Sequence, residues 1–113
     1  MISLLEVGNE AMETDDLNLA ENSYDDGIAI SKALAMRDWE ARFKNRLSCV
    51  RDMQGNQIEA LSFLSEVYDI YLELEDIRGQ AVSLCNIGGI KAAIRRSDEA
   101  LQNLRDGLTA NRG

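Results

Sequence analysis

The sequence predicts an all-α fold of three stacked helical hairpins, and three observations predict it. Apolar residues recur at helical spacing along the chain. Proline is absent, which suits uninterrupted helices. A pattern of large and small residues also repeats every 40 positions: Ala20, Ala60 and Ala100 share one register, and Tyr24, Leu64 and Leu104 share the next. Gly27, Val67 and Gly107 come next, then Ile28, Tyr68 and Leu108. Upstream, Val7, Leu47 and Ile87 align, each succeeded by a small residue, Gly8, Ser48 or Gly88. A repeat of this length marks stacked supersecondary units, none of which buries its apolar face alone. The units run over residues 1–37, 38–75 and 76–113, and together they make one domain over 1–113.

The first helix is expected over residues 1–13, with Ile2, Leu4, Leu5, Val7 and Met12 apolar. Thr14, Asp15 and Asp16 supply the turn, and Asp15 or Asp16 caps the next helix. That second helix reaches about Met36 and turns Leu17, Ala20, Tyr24, Ile28 and Leu34 inward. Asp38 is the expected cap of the third, which carries Trp39, Phe43, Leu47, Val50 and Met53. Gln54, Gly55 and Asn56 form a second turn. The fourth helix runs from Gln57 to about Glu75, with Ile58, Leu61, Leu64, Tyr68 and Tyr71 apolar. Asp76 opens the third unit.

That unit reads as two shorter helices. Leu84, Ile87, Ile90, Ala93 and Ile94 form the first stripe, and Arg95, Arg96 and Ser97 interrupt it. Ser97 caps a second helix bearing Ala100, Leu101, Leu104 and Leu108. Gly88 and Gly89 lie inside the first helix, where each glycine costs about 1 kcal/mol against alanine. Close approach of another helix would justify that cost.

Charge and composition narrow the function classes. The net charge of −8 argues against nucleic acid as a ligand. The charge is also uneven: −6 over residues 1–37, −4 over 38–75 and +2 over 76–113, a field that can orient a charged partner. No apolar run approaches the roughly 20 residues of a membrane span, and no leader pattern is present at the start. Two cysteines suggest a reducing compartment, with the cytoplasm as the default and the nucleus allowed. The chain has no histidine, no phosphate-binding glycine loop and no CxxC pair. No catalytic group, cofactor or metal is therefore assigned, and an enzyme is not expected. Cys49 and Cys85 read as free thiols.

The aligned residues resemble the tetratricopeptide repeat family over the whole chain. The pairs Val7-Gly8, Leu47-Ser48 and Ile87-Gly88 match the large-then-small pair of that family's first helix. The sets Ala20-Tyr24-Gly27, Ala60-Leu64-Val67 and Ala100-Leu104-Gly107 match its second helix. The length of the repeat resembles the extended units of adaptors of the Pins/LGN type, which orient the mitotic spindle. Lys44, Val67 and the missing proline of each unit depart from the family pattern.

The resemblance implies a right-handed α-solenoid whose first helices line a concave, peptide-binding groove. Periodicity then assigns Asn9, Arg42, Asn45, Arg46, Cys49, Asn86 and Gly89 to that groove. Asparagine amides can hold the main chain of an extended peptide, and Arg42 and Arg46 can pair with acidic ligand side chains. A terminal-carboxylate clamp of the chaperone-binding kind is not expected. Asn9 matches it, but Leu5, Val82 and Asn86 stand where the clamp needs other residues. The expected function is a non-enzymatic protein-interaction scaffold. The alternative is self-assembly through the exposed edge of the last unit.

Overall fold

A computed structural model describes residues 2–112, with side chains described for residues 2–107. The chain is all-helical: α1 (Ile2–Glu13), α2 (Leu17–Ala33), α3 (Arg37–Met53), α4 (Gln57–Glu73) and α5 (Ile77–Arg112). Each helix packs on the next in sequence.

The turns share one construction. Asp15, Ala35, Gly55 and Glu75 have positive φ, and they stand 20 residues apart. In each turn the residue after the left-handed one donates its N–H to a carbonyl five positions back. These bonds run from Asp16 to Ala11 (2.8 Å), Met36 to Ser31 (2.8 Å), Asn56 to Arg51 (2.8 Å) and Asp76 to Tyr71 (3.0 Å). This pattern satisfies carbonyls that the helix end leaves without partners.

The same residues start the succeeding helices. Asp16 Oδ1 accepts from Leu19 N, Asn56 Oδ1 from Glu59 N, and Asp76 Oδ1 from Gly79 N. At the second turn the cap is Met36 and not Asp38, and no side chain bonds the helix end there. Asp38 and Glu40 instead lie in the first turn, where negative charge favours the helix dipole.

Packing alternates ring and glycine. A Cβ at Gly8 would overlap the Tyr24 ring, one at Gly27 would overlap Phe43, and one at Gly79 would overlap Tyr71. These glycines let neighbouring backbones approach to the thickness of an aromatic ring. Ala11, Ala20, Tyr24, Phe43, Leu47 and Val50 form the main core. Ala41, Val67 and Ile70 fill the space between α3 and α4, and Ala60, Leu64 and Ile90 join α4 to α5.

Charged groups reinforce the same contacts. Lys44 is buried with Glu40 at 2.9 Å and reaches Glu66 on α4 at 3.3 Å. Arg37 pairs with Glu40 at 3.1 Å and with Glu73 at 2.8 Å. Arg51 joins Glu21 of α2 at 2.7 Å to Glu59 of α4 at 2.8 Å.

Three expectations are corrected. Val7, Leu34, Met53 and Ile58 are exposed and do not point into the core. α2 and α4 end at Ala33 and Glu73, earlier than expected. The third hairpin is not formed. Arg95, Arg96 and Ser97 are helical, and α5 continues as one helix of 36 residues. Beyond Ile94 its described side chains are exposed, Ala100, Leu101 and Leu104 among them. The side chain of Leu108 lies outside the described residues.

Candidate functional site

Among the described residues, two clefts open between odd-numbered helices. The first, of about 220 Å³, lies between α3 and α5 over Leu64 of α4. Ser48, Cys49 and Asp52 form one wall, and Cys85, Asn86, Gly89 and Ile90 the other. Asn86 Nδ2 donates to Asn45 Oδ1 at 3.1 Å, tying this wall of the cleft to α3. The cleft therefore combines an apolar floor, two thiols, one carboxylate and an amide pair.

The second cleft, of about 230 Å³, lies between α1 and α3 and is lined by Asn9, Met12, Glu13 and Arg46. Tyr24 stands behind it, and its hydroxyl donates to Asn9 Oδ1 at 2.6 Å. Burial raises the Tyr24 pKa, with the Arg46 charge acting in the opposite direction. The phenol therefore stays protonated and keeps the Asn9 amide oriented. Arg46 is exposed and makes no ion pair among the described residues.

The expected site residues thus separate. Cys49, Asn86 and Gly89 line the first cleft, with Asn45 bonded to Asn86. Asn9 and Arg46 meet in the second. Arg42 is held elsewhere: its guanidinium lies 4.8 Å from the centre of the Trp39 ring and pairs with Asp38 at 3.1 Å. The i, i+4 spacing of Asp38 and Arg42 carried that signal.

Ser48, Asp52 and Ile90 also line the first cleft, although periodicity alone does not mark them as ligand contacts. Ser48 stands at the small position of its unit, so close helix approach was its expected role. Among the described residues no group of three or more cysteine, aspartate or glutamate side chains gathers as a metal site. Among them, too, no helix is long and apolar enough to cross a membrane.

The chain matches no protein-family model. No curated protein shows significant similarity to it.

Proposed function

We propose that the chain is a helical-repeat scaffold of the tetratricopeptide type and that it binds an extended, acidic peptide segment across its two clefts without catalysing a reaction. The observation that carries this reading is the first cleft: an apolar floor flanked by the Asn45–Asn86 amide pair. An extended peptide presents alternating main-chain donors and acceptors, and asparagine amides answer both. Cys49, Cys85 and the uncovered edge of Ile90 offer apolar surface to a side chain of that peptide, with buried Leu64 beneath them.

Arg46 in the neighbouring cleft supplies the preference for acidic ligands, because among the described residues it has no carboxylate partner of its own. The alternation of helices also supports the reading. α3 contributes to both clefts, so one peptide can run from the first into the second.

The test is selection from a displayed library of extended peptides, with titration of the winners. Acidic sequences should be enriched. Arg46→Ala should weaken them about tenfold, the range of a lost charge-assisted hydrogen bond. Arg42→Ala should leave them unchanged, because that guanidinium is already paired. Equal losses from both variants, or no enrichment, would reject the reading.

A further inference from the structure

The turns of this chain keep a strict spacing that the last helix breaks. Left-handed residues stand at 15, 35, 55 and 75, so the next belongs at 95. There α5 passes straight through Arg95 as helix. Residues beyond it keep the register of α2 and α4. Ala100 and Leu104 correspond to Ala20 and Tyr24, and to Ala60 and Leu64, all four of which are buried. In α5 the same two positions are exposed.

The receiving surface is equally preserved. Gly8 exists because Tyr24 lies on it. Its counterpart Gly88 has no atom within 4 Å of where a Cβ would stand, so its cradle is empty. Charge complementarity is preserved as well. Arg51 and Glu59, which pair at 2.8 Å across their turn, correspond to Lys91 and Glu99. Eight residues of continuous helix hold Lys91 and Glu99 about 12 Å apart along the axis. They cannot meet within one straight α5.

We propose that two copies of this chain exchange the second half of α5. The two long helices lie antiparallel, and residues 97–107 of each pack along about residues 84–94 of the other. Leu104 of one copy then fills the cradle at Gly88 of its partner, and Glu99 of one pairs with Lys91 of the other. Each copy completes in its partner the hairpin that it does not close in itself. This is exchange of an identical element, a low-cost route to a dimer.

The local chemistry explains why the helix stays open. Closing the turn would put Arg95 at positive φ, as Asp15, Ala35 and Glu75 are at turns that do close, so φ alone does not hold the helix open. Closure would also put Arg96 at the cap, where no side-chain oxygen is available to bond the helix end. Asp16, Asn56 and Asp76 supply that oxygen at three of the other turns. Met36 does not, but α2 and α3 are clamped on both sides of it by Phe43 against Gly27. No further helix secures residues 97–107 in that way among the described residues. The inference is argued from the α5 face at Gly88 and does not rest on peptide binding.

Sedimentation equilibrium of the full chain tests it. The chain should dimerise. Gly88→Leu should weaken the dimer about tenfold or more with helix content unchanged, because the added side chain has open space in the single chain. Lys91→Glu should also weaken the dimer, and adding Glu99→Lys should restore it. Three results would overturn the proposal: a wild-type chain that stays monomeric at all concentrations, a dimer indifferent to Gly88→Leu, or a charge exchange that does not restore the dimer. Peptide titration of the wild-type chain at concentrations below dimerisation reads the cleft separately.

Discussion

Asn86 donates its side-chain amide to Asn45 across 41 residues of sequence, at 3.1 Å. The bond joins α5 to α3 at the rim of a cleft. It is only partly buried, so it contributes little to stability. Asn86→Ala should change stability by about 0.5 kcal/mol or less. Peptide affinity should fall while the unfolding midpoint stays. A large loss of stability would assign the pair a structural role in place of a ligand-facing one.

Glycines in the same register should respond with opposite sign. Gly8→Ala adds a methyl where the Tyr24 ring stands and should destabilise by about 1–3 kcal/mol. Gly88→Ala meets nothing and should stabilise the dilute chain by about 1 kcal/mol through helix propensity. Chemical denaturation at low protein concentration compares the two. Equal effects would remove the distinction between an occupied and an empty cradle.

The Lys44–Glu40 pair makes a pH-dependent contribution. Burial is the largest influence on Glu40 and opposes its charge, but Lys44 and Arg37 together outweigh it, and the carboxyl titrates below its ordinary value of 4.5. A depressed folded pKa means that the stabilisation is present above pH 4.5 and is lost as pH falls through the lower folded value. Lys44→Met should cost about 1.5–3 kcal/mol near neutral pH, because it removes one of the two cations on a buried carboxylate and leaves Arg37 alone on it. In that variant the acid loss should begin at higher pH. Denaturation series across roughly pH 3–7, the range where carboxylates titrate, measure both effects.

Ala60 is fully buried where α4 meets α5. Ala60→Leu should destabilise by about 1–3 kcal/mol through overpacking. Ser65→Leu, on the exposed side of the same helix, should stay within about 0.5 kcal/mol. Denaturant midpoints of the two variants compare them. Glu66 is unsuitable as the control, because it pairs with Lys44.

Local chemistry made much of this fold legible. Gly55 and Asn56 announce a turn because one accepts positive φ and the other caps. The alanines at 20 and 60 announce close helix contact, and both are fully buried. What local pattern missed depends on partners. Leu34 and Ile58 have the right spacing for a core but are exposed: Leu34 is the residue that caps the end of α2, and Ile58 lies in the first turn of α4. Lys44 looked out of place in an apolar stripe, and only the fold brings Glu66 to it. Arg95 and Arg96 broke an apolar run without breaking the helix, since arginine is a good helix former. At the site, the amides and Arg46 were readable from periodicity. Arg42 shares that periodicity, but Trp39 and Asp38 on its own helix engage it first.

The most direct test of the scaffold reading is where a selected acidic peptide touches the chain. Side-chain amide resonances of Asn9, Asn45 and Asn86 report on both clefts, and Asn18 and Asn22, exposed on α2, serve as references. Titration should shift the first three together and leave the last two in place. Saturable shifts at Asn18 and Asn22 with none at Asn45 and Asn86 would contradict the account.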